Sequence, residues 1–202
     1  MKKLMPQWTP SAAVCLLALL LAGCGSLLTS KQPPRQVYML QPLAAGGGAA
    51  TGVETVQLRL EVIPGLDTDR VLALDPDARL VPYANARWPD HLPEVLRSVL
   101  RRSLESAGRI DSDGVAAENE WSLDLELQAF YGLLDAAGGT RSVRVALAGR
   151  AECNGNARNL RLEDSATVPQ ERLSAVVAAH QAALDGVTRQ LLQSIDEGCS
   201  GQ

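Results

Sequence analysis

From Thr55 the chain alternates. Val56, Leu58, Leu60 and Val62 are apolar, and Gln57, Arg59 and Glu61 between them are polar. A period of two turns one set toward a core and the other toward water, which predicts a half-buried strand. Pro64-Gly65 ends it. The same alternation returns in Trp121, Leu123, Leu125, Leu127 and Ala129, separated by Ser122, Asp124, Glu126 and Gln128, and again in Val143, Val145, Leu147, Gly149 and Ala151. A loop carrying Gly138-Gly139 lies between those two runs. Arg70 to Leu74 and Arg79 to Tyr83 flank Asp75-Pro76-Asp77-Ala78, a turn joining two more strands. Leu160 and Leu162 begin another, and Val37 to Leu40 reads as a short edge strand.

Two segments follow the helical period instead. After Pro89, apolar residues fall at Leu92, Val95, Leu96, Val99, Leu100 and Leu104, offsets of three and four that form one stripe. Arg97, Arg101 and Arg102 lie off it and read as a solvated face, and Gly108 is placed to cap the end. Leu173, Val177, His180, Leu184, Val187, Leu191 and Ile195 make a second stripe, ended by Gly198. The fold class expected is α+β. It is a single domain with a mostly antiparallel or mixed sheet, two long amphipathic helices packed on one face and a polar opposite face.

The first residues form a separate unit. Ala12 to Ala22 are eleven consecutive apolar residues, whereas a helix needs roughly 20 to cross a hydrocarbon layer. Lys2 and Lys3 precede the run, no acidic residue occurs before position 24, and small residues follow, the order of a secretory signal peptide over residues 1–23. Leu21-Ala22-Gly23-Cys24 resembles the bacterial lipobox. That resemblance implies diacylglycerol on the Cys24 thiol, cleavage before it, and acylation of the new amino terminus. Residues 24–36, with Pro33-Pro34 and no periodicity, read as a tether. Residues 37–202 are the expected folded domain. The Gly/Ala-rich stretch from Ala44 to Gly52 lacks the following Lys-Ser/Thr and helix of a phosphate cradle and reads as a flexible connection.

Composition narrows the function. Loss of Lys2 and Lys3 with the signal takes the basic side chains from 19 to 17 against 23 acidic ones, a net charge of −6. That balance argues against nucleic acid as a partner. Cys15 leaves with the signal and Cys24 takes the lipid, so Cys153 and Cys199 remain as the expected disulfide in an oxidising compartment. The two cysteines are far apart in sequence and His91 and His180 are the only histidines, so no metal or other cofactor is expected.

The lipobox, Tyr38-Met39-Leu40, Pro64-Gly65-Leu66-Asp67, the Arg70 hairpin, and Tyr83 to Pro93 with Arg87-Trp88 opening a helix together resemble the ABC-type transport auxiliary lipoprotein family. The resemblance spans nearly the whole domain. It implies a non-catalytic lipoprotein working beside an MCE-type protein in phospholipid transport between the inner and outer membranes, with some members forming homo-oligomeric rings. Gly25, rather than Asp, after the lipidated cysteine favours the periplasmic side of the outer membrane. The alternative is a stand-alone envelope lipoprotein that binds lipid in its own fold or serves outer-membrane assembly.

Candidate catalytic groups are thin. Asp124 and Glu126 belong to the wet face of a strand, His180 to the stripe of the last helix, and His91 to a helix start. No serine stands in a G-x-S-x-G turn. An enzyme is therefore not expected. Arg87 and Trp88 are candidate partner-binding residues, because Trp and Arg are enriched at interface hot spots. Trp88 reads equally as a side chain that packs the helix onto the sheet.

Overall fold

The computed structural model describes residues 34–44, 54–110 and 119–197. The signal segment, Cys24, most of the tether, the Gly/Ala-rich stretch, Gly198 and Cys199 lie outside the described residues. The described residues from Arg35 onward form one compact unit.

Its centre is a mixed sheet. In chain order the strands are β1 (Gln36–Val37), β2 (Glu54–Val62), β3 (Arg70–Leu74), β4 (Leu80–Arg87), β5 (Arg109–Ile110), β6 (Asn119–Leu134), β7 (Thr140–Cys153) and β8 (Asn156–Thr167). Helix α1 (Leu92–Ser106) follows β4, and α2 (Leu173–Asp196) closes the order. β6 organises the sheet. Along one edge it pairs with β7 over its length, and along the other it takes β2 on residues 119–127 and β3 at Gly132 and Leu133, both parallel. The hairpins β3–β4, β6–β7 and β7–β8 are antiparallel, whereas β1 on β4 and β5 on β2 are parallel.

The alternation read from the sequence becomes a ladder. Leu60, Leu125, Gly149 and Leu160 make one rung, and Val62, Leu127, Leu147 and Leu162 the next. Their side chains join Leu92, Leu96 and Leu100 of α1 and Leu184, Val187 and Leu191 of α2 in a single core, so both helices cover the same face. Gly149 has no room for a side chain. An added Cβ would lie 2.0 Å from the Asp124 carbonyl oxygen.

The elements expected from the sequence are present, and several run longer. Between Leu127 and Ala129 the register shifts, with the partners on β7 being Leu147 and Ala146, so Gln128 is an extra residue. This bulge moves the core positions from odd to even numbers, so that Phe130 pairs with Val145 on the buried side. The strand therefore continues to Leu134 beyond the point where simple alternation stops. β7 and β8 are joined through Asn154-Gly155, both at positive φ (48° and 85°), the conformation that a tight two-residue hairpin requires. The Val37–Leu40 segment forms only the two-residue β1, extended by a hydrogen bond from the Tyr38 amide to the Arg87 carbonyl at 2.8 Å. Gly108, at φ 79°, closes α1 as expected.

Two hairpins share one turn chemistry. In β3–β4 the Asp75 carboxylate accepts hydrogen bonds from the amides of Asp77 and Arg79, and in β6–β7 Asp135 does the same for Ala137 and Gly139. Hydrogen bonds from the Arg79 amide to Asp75, and from the Arg141 guanidinium to Asp135, hold both carboxyls below their usual pKa.

Candidate functional site

The junction of β4 and α1 places Arg87 and Trp88 side by side but gives them different surroundings. Trp88 is 2 % exposed and meets the rings of Phe130 and His180 edge-on, at centroid distances of 5.7 and 5.5 Å. It occupies the packing role of the two read from the sequence and presents almost no surface to a partner. Arg87 is half-buried, and its guanidinium grips both oxygens of Asp69, from the segment before β3. Through this one nitrogen, Nη1, the ion pair ties the end of β4 to the segment before β3.

His180 is fully buried between Trp88 and Phe130. Its Nδ1 lies 2.9 Å from the Val176 carbonyl, one turn earlier on α2, and Nε2 meets no hydrogen-bond partner among the described residues. Burial lowers its pKa to about 4 despite the opposing hydrogen bond to Val176, so the ring is neutral at pH 7. An imidazole in this setting packs and cannot exchange a proton with solvent-borne substrate. His91 stands in water at the start of α1. Its Nδ1 lies 2.9 Å from Asp67 Oδ1, and that hydrogen bond raises its pKa.

The second face of the sheet carries the charges. Gln57, Arg59 and Glu61 of β2 and Asp124, Glu126 and Gln128 of β6 are all exposed, with Arg59 paired to Asp124 across the strands. Further along, Arg144 of β7 donates to both oxygens of Glu163 on β8 at 2.7 and 3.0 Å. Glu61 lies opposite Glu126 in the register. Beside them the small side chain of Ala148 leaves a hollow of about 370 Å³, walled by Arg59, Glu61, Asp124 and Glu126. Among the described residues no helix lies over this face. Asp124 and Glu126 are thus parts of a charged surface rather than a converging acid/base pair.

A third feature had no sequence signal. Gln181 of α2 donates through Nε2 to the Gln41 carbonyl at 3.0 Å and accepts from the Gln41 amide at 2.8 Å. Gln190 makes the same pair of bonds with the backbone of Glu163 on β8, at 3.0 and 3.2 Å. Nine residues at 100° each put the two glutamines on opposite flanks of α2. One holds the N-terminal strap, residues 38–44, and the other satisfies the backbone of Glu163 on β8. On the other helix, Ser103 Oγ accepts the Leu43 amide at 2.9 Å.

Cys153 is buried at the end of β7. Nearby contacts bring the end of α2 toward it: Arg158 on β8 lies 3.7 Å from Glu197, and Arg109 binds Asp196. Arg97 donates to Glu94 at 2.6 Å and reaches the Leu60 carbonyl, while Arg101 pairs with Glu105. The cations of α1 are thus engaged by their own helix and by β2.

A family model described as the ABC-type transport auxiliary lipoprotein component matches residues 38–191, from the strap through most of α2. The chain belongs to this family. Membership implies an auxiliary part beside an ABC-type transporter and a membrane-anchored place in the cell envelope. The α+β architecture is shared with solved structures. The crystal structure of an uncharacterized protein matches with a TM-score of 0.63 at 14 % identity, covering 81 % of this chain and 99 % of that one. That of a DUF330 protein from Xanthomonas campestris gives 0.62 at 15 % identity, covering 81 % and 100 %. At these identities the likeness shows the fold alone. No curated protein matches the sequence. No described helix is long and apolar enough to cross a membrane.

Proposed function

We propose that this auxiliary lipoprotein is a non-catalytic docking component of an MCE-type phospholipid transport system, anchored by acyl chains on Cys24 to the periplasmic side of the outer membrane. The observation that carries the docking reading is the division of the sheet. One face is closed by α1 and α2, and the other is a charged surface with no described element over it. A carrier that holds lipid in its own fold would use the apolar face, and here that face is filled by helix side chains. The Gly25 after Cys24 favours the outer over the inner membrane. Three acyl chains would hold the protein there, since each buried CH₂ contributes about 0.8 kcal/mol.

The Cys153–Cys199 disulfide belongs to the same reading. Cys199 lies two residues beyond Glu197, whose pairing with Arg158 brings the end of α2 close to the β7–β8 hairpin. A homo-oligomeric ring is a further expectation of the family, tested by native mass spectrometry of the detergent-purified protein.

The function is tested by purifying a C-terminally tagged chain from detergent-solubilised membranes beside Cys24→Ser and identifying what accompanies it by mass spectrometry. Recovery of an MCE-type protein with the unsubstituted chain is the expected result, and the variant reports whether docking needs the anchor. Only unrelated envelope proteins after mild crosslinking would favour the stand-alone lipoprotein.

A further inference from the structure

We propose that Val37 and Met39 form a membrane-contact corner whose side chains enter the lipid surface that holds Cys24, seating the body at a fixed attitude to the bilayer. This rests on the anchored-lipoprotein reading and adds a surface to it. Three large hydrophobic side chains are exposed among the described residues: Val37 at 60 %, Met39 at 63 % and Leu80 at 37 %. Two of the three stand two residues apart on one extended segment, so they project to the same side. Between and after them, Tyr38 packs on the core and Leu40 is buried.

Their exposure is not looseness. β1 pairs with β4, the Tyr38 amide is bonded to Arg87, Gln41 is held by Gln181, and the Leu43 amide is held by Ser103. The segment is thereby fixed to the sheet and both helices, with two apolar side chains left outward. From Gln36 to Leu43 no residue carries a charge, so bringing this stretch to a lipid surface desolvates no ion. Beside Met39 the surface continues as a groove of about 240 Å³, lined by Leu40, Val95 and Val99 and by the charged Asp90, Glu94 and Arg102, so the uncharged contact is confined to the Val37–Met39 corner itself.

The position in the chain selects lipid over a soluble partner. Val37 follows Cys24 by thirteen residues, which span at most about 43 Å when fully extended. The first described element after the anchor is the one that displays the apolar pair. Acyl chains alone would keep the protein on the membrane while leaving the body free to turn. Contact through Val37 and Met39 sets which way the charged sheet face points.

The test uses the acylated full chain in vesicles of phosphatidylethanolamine and phosphatidylglycerol, with an environment-sensitive NBD fluorophore on Met39→Cys. The chain without that substitution must take up no label, and Leu80→Cys, at the far end of β4, serves as the comparison. The proposal expects blue-shifted emission at position 39 that doxyl-labelled lipid quenches, water-like emission at position 80, and weaker quenching at 39 when Val37→Ser is added. Water-like emission at 39 from a chain that sediments with the vesicles overturns the corner and leaves the anchor standing. A shift at 39 that appears only when a partner protein is added overturns it in favour of a protein contact. A chain without acyl mass on Cys24 removes the anchored reading and this inference together.

Discussion

The two faces of β6 carry the same backbone and opposite chemistry. Toward the helices stand Leu123, Leu125 and Leu127, all buried, and toward the other side stand Asp124, Glu126 and Gln128, all exposed. The buried side holds the fold together, so its side chains are answerable to their neighbours' volume. The charged side contributes little to stability, because exposed ion pairs are worth about 0–1 kcal/mol. A surface that stability does not constrain is available for recognition. Substitutions on the two sides should accordingly separate folding from docking.

The largest effect is expected on the buried side. Trp88→Ala removes the ring that meets Phe130 and His180 and should cost about 3–5 kcal/mol, read as a lower midpoint in urea or guanidinium unfolding. A loss under about 1 kcal/mol would show that Trp88 is not a core residue.

Acid should act on the same cluster. The folded chain holds His180 at about 4, whereas the unfolded chain titrates near 6.5. Between those values the unfolded chain binds a proton that the folded chain refuses. Stability is therefore fully present above pH 6.5 and falls as the pH drops toward 4, by on the order of 3 kcal/mol. Unfolding free energies measured at several pH values should show this slope, and His180→Leu should flatten it. An unchanged slope in the variant would assign the acid sensitivity elsewhere.

The smallest stability effect belongs to the charged side. Arg59→Ala breaks the pair with Asp124 and should shift the unfolding free energy by no more than about 0.5 kcal/mol. If it destabilised the chain as much as Trp88→Ala, the division between the two faces would fail.

Periodicity made much of this legible in the sequence. The α1 stripe from Leu92 to Leu104 appears as read, since three- and four-residue offsets can be recognised within the helix itself. The far half of β6 was less visible, because the extra residue at Gln128 reverses the parity on which alternation depends. The Asn154-Gly155 turn did carry a local hairpin signal, which the strand reading of Leu160 and Leu162 did not use. Parallel pairing of β2 and β3 with one edge of β6 depends on contacts some 60 residues apart in sequence, which no local pattern records. Gln181 and Gln190 were invisible for another reason: each binds backbone, which carries no residue-specific sign. Arg87 and Trp88 read alike in the sequence as partner-binding candidates, and only burial distinguishes the gripped cation from the packed ring.

The measurement that tests the account most directly is in-cell photocrosslinking from each side of the molecule. A photoreactive amino acid in place of Asp124 samples the charged sheet face, and one in place of Arg101 samples the outer surface of α1. The account predicts a crosslink to an MCE-type protein from position 124 and none from 101. A crosslink to that protein from 101 alone, or none to any MCE-type protein from either position in a chain shown to be folded and anchored, would contradict it.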